Sequence, residues 1–321
     1  MIRLTPLLVL ALASTGCITL EVPLFGSAQL VEQRVYGEGD AKILMIDIDG
    51  TLSNRPESGT FGFGGRASTV ARVRQQLEAA VDDDAIRALL LRIDSPGGTV
   101  IASDILYREV LRYKRETGLP VVAQIMGMAA SGGYYVAMAA DEVRAYPSAV
   151  TGSIGVIMAG LNLSGLLDKV GVENQTLTTG AFKDAGSPLR EMRPEERSQL
   201  QTIVDDLFQG FLDVVDRGRP DLDRAAVEAL ADGRIYSARQ ARENGLIDAL
   251  GDLPEAIAAT TKRAGIEDEV SVVVYHREGE LRENLFSNRA PRLRQGGPPA
   301  WLEGVTRPSF LYLWAPWGDL R

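Results

Sequence analysis

Ala88-Leu89-Leu90-Leu91-Arg92-Ile93-Asp94-Ser95-Pro96-Gly97-Gly98 reads as a strand that runs into a tight turn. An apolar run with almost no polar alternation is the pattern of a strand covered on both faces. Asp-Ser-Pro-Gly-Gly then stops it. From Thr99 to Thr117 the spacing of apolar residues is helical, so the unit is strand, turn, helix. The same unit recurs with a strand over Val121 to Ile125, a small-residue turn at Gly127 to Ser131, and a helix of small and apolar residues from about Gly132.

Upstream, Ile43 to Ile48 is a further buried-strand pattern, followed by a glycine-rich loop at Phe61 to Gly65. Ser68 is placed to cap a helix whose Val70, Val73, Leu77 and Val81 share one face. Downstream, Pro194 to Asp216 predicts a long helix with Leu200, Ile203, Leu207, Phe211 and Val214 on one stripe, and Asp223 to Ala264 predicts a further helical region. Strands alternating with helices in this way predict a layered α/β fold with largely parallel strands and C-terminal helices.

Composition excludes as much as it suggests. The 321 residues are 45% hydrophobic and 24% charged, which suits a folded protein, and a formal charge of −9 without a dense Lys/Arg cluster argues against nucleic acid as a partner. The single histidine is His276 and the single cysteine Cys17. A His/Cys zinc site therefore has too few ligands, no internal disulfide can form, and a Ser/His/Asp triad would need His276 from a late strand-like run, Val272 to Tyr275. No metal or cofactor is expected.

At the N-terminus, Met1-Ile2-Arg3, an apolar stretch from Leu4 to Ala13 and Ser14-Thr15-Gly16-Cys17 have the layout of a signal peptide. Small residues directly before a lone cysteine resemble a bacterial lipoprotein signal, in which Cys17 carries the lipid; the leucine usual three residues upstream is Ser14 here. The alternative is an uncleaved membrane anchor from about Leu4 to Phe25, interrupted by Pro6 and Glu21. Either one puts the chain at a membrane. The expected divisions are a signal peptide at residues 1–16, a membrane-proximal linker at 17–40, the main domain at 41–265, and a C-terminal strand and Trp-rich tail at 266–321. That tail, broken at Gly296-Gly297-Pro298-Pro299, carries Trp301, Trp314 and Trp317, and either packs on its own domain or forms an oligomer or membrane-interface contact.

Chemistry is expected at Ala129-Ala130-Ser131-Gly132-Gly133-Tyr134-Tyr135, where small neighbours leave a serine open at a strand-to-helix turn. Unpaired N–H groups at a helix start suit a developing oxyanion, although a serine in this place also suits a helix cap. The turn at Asp94 to Gly98 lets backbone approach a ligand closely. Two such turns after neighbouring parallel strands form a crevice of the kind in which α/β folds bind ligands.

Leu89 to Gly98, Ala129 to Tyr135 and Thr151-Gly152-Ser153-Ile154-Gly155-Val156, in this order and spacing, resemble the signal peptide peptidase A family of S49 serine proteases. Gly180-Ala181-Phe182-Lys183-Asp184 with Ser187-Pro188 and Arg190-Glu191-Met192 resembles the lysine segment of its short forms, and Gly233-Arg234-Ile235-Tyr236 and Gly245-Leu246-Ile247-Asp248 their C-terminal signature. The resemblance covers roughly Ile43 to Ala264. It implies a ClpP/crotonase-like fold, Ser131 as nucleophile and Lys183 as general base. It also implies an oxyanion hole using Gly98 N–H with a group at Gly97 or Ser131, and Ser153 as the hydroxyl that orients the lysine. Peptide substrates such as spent signal peptides and misfolded exported proteins are implied, as is a ring-like homo-oligomer in which serine and lysine come from adjacent protomers. A lysine accepts a proton only when uncharged, which requires shelter from water, so Asp184 is expected to face away from it.

Two other readings compete. Ile43 to Leu52 (ILMIDIDGTL) resembles the phosphatase motif of the haloacid dehalogenase superfamily, which would make Asp47 a nucleophile and Asp49 an acid/base with Mg²⁺, Asp248 and Asp252 being the only later acidic candidates. The other is a non-catalytic membrane scaffold of the same fold.

Overall fold

The apolar runs form the middle of one large sheet. A computed structural model describes residues 30–56, 67–277, 282–287 and 310–313. The chain enters through β1 (Leu30–Tyr36) and β2 (Ala41–Asp49), and α1 (Thr69–Val81) leads to β3 (Ile86–Ser95). The short β4 (Gly97–Thr99) precedes α2 (Val100–Thr117), β5 (Val121–Ala130) and α3 (Gly132–Ala137). Next come β6 (Glu142–Ala145), β7 (Val150–Gly152), β8 (Ile157–Met158), α4 (Ser164–Val170) and the long α5 (Pro194–Gly218). Then follow α6 (Arg224–Leu230), β9 (Ile235–Ser237), α7 (Ala238–Glu243), β10 (Ala249–Leu250), α8 (Leu253–Arg263), β11 (Val270–Arg277) and β12 (Phe310–Leu313). Cys17 with the rest of the signal, the Phe61 to Gly65 loop and Trp301, Trp314 and Trp317 lie outside the described residues. Among the described residues no helix is long and apolar enough to cross a membrane.

The large sheet runs β1-β11-β2-β3-β5-β6-β10, with β7 beside β5 and β9 beside β7. Only β1 and β9 join antiparallel; the other ladders are parallel. Alternate residues of β2, β3 and β5 feed two cores. Leu44, Ile46, Leu89, Leu91, Ala123 and Ile125 pack with residues of α1, α2, α3 and α5, whereas Ile43, Met45, Ala88, Leu90 and Val122 pack against Leu253, Ala256 and Ile257 of α8. Helical cover on both faces is why these strands carry no polar alternation.

Several expectations shift. The stretch expected as a membrane-proximal linker, residues 17–40, contains β1, which pairs with β11; its mixed burial hid it. Ser68 does cap α1, its side chain accepting the N–H of Ala71, but Val81 is 44% exposed and Gln76 takes a place on the buried face, donating to the carbonyl of Tyr275 at 2.6 Å. Gly127 to Ala130 continue β5 rather than turning. Between Ile93↔Ile125 and Ser95↔Ala129 the register shifts, so β5 carries two extra residues there. The Asp94 carboxylate bridges the bulge, accepting the N–H of Met128 at 3.1 Å, and burial pushes its pKa up. The region Asp223 to Ala264 is three short helices broken by β9 and β10.

Asp47, one of the acids of the alternative phosphatase reading, is buried between two arginines. Arg92 Nε donates to Oδ1 at 2.9 Å and Arg282 to Oδ2. Arg92 also donates to the carbonyls of Leu285 and Ser287, so the pair pins residues 282–287 to the sheet. Asp49 is held by Arg72. A buried carboxylate neutralised in this way is a structural element rather than a nucleophile. Asp47→Ala should take the neutralising carboxylate from two buried guanidinium groups and cost about 3–5 kcal/mol in chemical denaturation. At a temperature where both forms stay folded, fluorophosphonate labelling of Ser131 should be unchanged.

Candidate active site

Ser131 occupies the single residue between β5 and α3, with φ 51° and ψ −113°. Left-handed backbone at a non-glycine residue costs about 1–3 kcal/mol and persists only where its surroundings enforce it. Here they do: the Ser131 N–H donates to Gly152 O at 2.7 Å and its carbonyl accepts the N–H of Tyr135 at 2.9 Å. The hydroxyl makes no capping bond to α3. Strain at a strand-to-helix turn is also how nucleophilic serines are presented in α/β hydrolases.

The second element is the β4 segment. Gly97 N–H donates to Ser95 Oγ at 3.1 Å, and its carbonyl accepts the N–H of Leu52 at 2.7 Å. Leu52 O in turn accepts the N–H of Thr99 at 3.0 Å. Leu52 and β4 lie so close that a Cβ on Gly98 would stand 2.1 Å from Leu52 O. On the other side, a Cβ on Gly132 would stand 2.3 Å from Ser103 Oγ and 3.2 Å from Gly98 N. Only glycine fits at both positions, and their mutual approach puts Gly98 N–H next to the start of α3. The N–H of Gly97, one of the expected oxyanion donors, points to Ser95 Oγ. Gly132, which the sequence reading passed over, has its N–H at the first turn of α3, where helices leave such groups unpaired.

Ser153 stands beside Ser131, since the β5–β7 ladder pairs Ala130 with Gly152 immediately before them. It too has positive φ, 50°, and is buried; its N–H donates to Arg234 O at 2.7 Å. Thr151 Oγ1 ties β7 to Ala129 O at 2.6 Å. The two C-terminal signature segments brace this arrangement. β9 pairs with β7 and presents Arg234 to Ser153. Leu246 O accepts the phenol of Tyr134 at 2.7 Å, and burial raises that phenol's pKa. Tyr135 stacks edge-on against Tyr107 and is tilted against Phe211, anchoring α3 to α2 and α5.

His276, the only imidazole, is buried on β11, three strands from β5. At about 4.8 Å per strand that is roughly 14 Å, beyond reach of Ser131.

Lys183 is placed differently from the rest. It is exposed, and its ammonium has no hydrogen-bond partner among the described residues. Between Ile157 and Glu195 no residue is buried, although Leu166, Val170, Leu177 and Phe182 are apolar; Leu177 is 97% exposed. The backbone around Lys183 is nevertheless clamped. Arg190 donates through Nε and Nη2 to Asp184 at 2.8 and 2.7 Å, and through Nη1 and Nη2 to Glu196 at 2.8 and 2.6 Å. Arg193 donates to Ala181 O and to Glu196. Arg190 thereby holds Asp184 below the usual carboxylate range, and with Arg193 holds Glu196 well below it. Asp184 is thus turned to Arg190. Sequence reasoning noted Arg190 inside a motif but not this hub, because Glu196 sits in a helix start that reads as solvated.

A model of peptidase family S49 matches residues 113–267, and one of Clp protease matches residues 65–151, in keeping with the ClpP/crotonase-like layering described above. The chain is similar to the protein named signal peptide peptidase SppA in Enterococcus faecium, with 35% identity over 252 residues, 78% of this chain and 72% of that one. It is 39% identical over 228 residues to protease slr0021 of Synechocystis sp., covering 71% and 76% of the two. To protease 4 of Haemophilus influenzae it is 32% identical over 222 residues, 67% of this chain and 34% of that protein. Identity of this level across more than two thirds of the first two pairs means that the chain belongs to peptidase family S49 and is a serine endopeptidase.

Proposed function

We propose that this peptidase uses Ser131 as nucleophile and Lys183, supplied by a neighbouring copy, as general base. The observation that carries this reading is the contrast between the two residues. Ser131 is buried in strained, pinned backbone with Gly98 N–H near the start of α3, while Lys183 projects with uncovered apolar residues on a segment that nothing among the described residues shelters. An exposed ammonium is a poor base; burial against a second copy would remove it from water and bring the amine to the serine. Leu200, Ile203 and Leu207 of α5 are likewise only partly buried.

In that assembly Ser131 Oγ attacks the scissile carbonyl carbon as Lys183 takes its proton. The oxyanion is met by N–H groups of Gly98 and Gly132, and Ser153 Oγ orients the amine. Collapse returns the proton to the leaving amine, and a water activated by the same lysine hydrolyses the acyl-enzyme. Substrates are exported peptides, remnant signal peptides among them, and a lipid on Cys17 or an N-terminal anchor holds the enzyme at the bacterial cell envelope. The lipoprotein layout of residues 1–17 and the relative named signal peptide peptidase support this part of the reading.

Ser131→Ala and Lys183→Ala should each lower kcat by about 10²–10⁴ or more. Equal mixing of the two variants, with co-assembly verified, should recover about a quarter of native sites, one half times one half, if each site draws on two copies. No recovery would refute the shared site. Arg190→Ala should release the Lys183 segment and lower kcat more than it changes KM. Because Arg190 lowers the carboxylate pKa values, its stabilisation is fully present above the ordinary carboxylate range and fades only as pH falls through the depressed values. The Tm gap between native and Arg190→Ala proteins should hold from pH 8 to about 5 and close well below about 4.

A further inference from the structure

β5 changes partners partway along. Its residues Val122 to Ile125 pair with β6, and its last three residues, Met128 to Ala130, pair with β7. The two extra residues of β5 fall at this change, between Ile125 opposite Ile93 and Ala129 opposite Ser95. A ladder without them would set Gly127 opposite Ser95 and move the segment that ends in Ser131 by two residues, about 6.6 Å. The bulge therefore decides whether Ser131 N–H meets Gly152 O and whether α3 begins beside Gly98.

The Asp94 side chain holds this bulge. Its Oδ1 accepts the N–H of Met128 at 3.1 Å, and the N–H of Gly127 favours the same charged carboxylate. A Cβ on Gly127 would stand 3.1 Å from that oxygen, so the loop is drawn close against it. A bulge takes backbone amides out of the ladder, and an ionised carboxylate is an acceptor with room for two of them. Asp49, opposite Asp94 on β2, repels its charge, and Arg92, two residues earlier on β3, attracts it. Arg72 of α1 pairs with Asp49, and Arg282 pairs with Asp47, two residues earlier on β2. From β5 come only the uncharged Gln124 and Met126. Burial outweighs the attraction, so the Asp94 carboxyl gives up its proton less readily than an ordinary aspartate.

We infer that Asp94 is a positioning residue for peptide hydrolysis: its ionised carboxylate, by holding the Gly127–Met128 bulge, sets Ser131 against Gly152 and Gly98, and protonation of that carboxylate loosens the site. The inference deepens the Ser131 reading and rests on it. Asp94 acts through the backbone of β5 and takes no part in moving the reaction's protons. A protonated carboxyl turns one of its oxygens into an O–H donor, which faces an N–H donor instead of accepting it. One bulge amide then loses its partner, and the register that aims the serine loses half of its support. A displacement of about 1 Å at a nucleophile is enough to cost about 10²-fold in rate.

Asp94→Asn copies the protonated form, with one acceptor oxygen and one donor group in the same shape. The kcat and KM of native and Asp94→Asn proteins on a reporter peptide are compared from about pH 8 down to about 4.5, and the ratio of the two kcat values cancels what Lys183 contributes to both. At the alkaline end the variant should lose about 10–10²-fold in kcat with KM little changed. Toward acid the ratio should shrink to about one, with its midpoint above the ordinary aspartate value, because only the native carboxylate still has a proton to gain. A ratio that stays constant with pH, as the loss of a merely structural contact gives, overturns the inference, and so does an unchanged kcat. Should Asp94→Asn fail to fold, Gly127→Ala decides. Its methyl, pressed on Asp94 Oδ1, should lower kcat with KM unchanged, and an unchanged kcat overturns the inference. Fluorophosphonate labelling of the native protein keeps the two readings apart. Labelled Ser131 with a constant ratio removes the role of Asp94 and leaves the nucleophile standing, whereas no label on Ser131 removes the nucleophile and the inference with it.

Discussion

The hydrogen bond from Ser131 N–H to Gly152 O is the constraint on which the site depends. It links the last residue before α3 to the last residue of β7, and it holds Ser131 in a backbone conformation that a serine leaves when free to do so. Ser153, next in the neighbouring strand, has the same left-handed φ and is pinned in turn to Arg234. Two strained hydroxyl residues side by side would each cost about 1–3 kcal/mol. The cost is distributed over parallel strands buried on both faces, where the surrounding packing leaves no room to relax.

The proposed oxyanion side depends on close approach rather than on strain. Gly98 and Gly132 bring β4 and α3 nearer than side chains allow, and Leu52 holds β4 from behind. The bulge in β5 contributes as well, since the two extra residues bridged by Asp94 carry Ala129 and Ala130 into register with Ser95 and β7. Fold and site are therefore not separable here. The same ladder that closes the sheet aims the serine.

The base side is built by a different logic. A network of Arg190, Arg193, Asp184 and Glu196 gives the Lys183 segment a defined shape without burying it. A rigid, exposed, partly apolar segment suits a surface that meets another copy of the chain, because little ordering entropy remains to be lost on docking. Dividing nucleophile and base between copies would make activity conditional on assembly.

Much of this was legible in the residues themselves. Leu89 to Ile93, Ile43 to Ile48 and Val121 to Ile125 declared themselves as central strands because burial on both faces removes every polar position from the pattern, and the glycines of the two turns marked the crevice. The short strands β4, β7, β8, β9 and β10 carried no such mark, since two or three residues hold no periodicity. Nor could the sequence say that β5 continues through Gly127 to Ala130, that Gly97 N–H is taken by Ser95, or that Glu196 is fully buried. What the sequence determined by itself was the class of fold, the family likeness and which serine to propose as the nucleophile, because these depend on local pattern and residue type. Which N–H groups are engaged and which carboxylates are neutralised were decided only by tertiary structure, because each depends on partners brought together from distant parts of the chain.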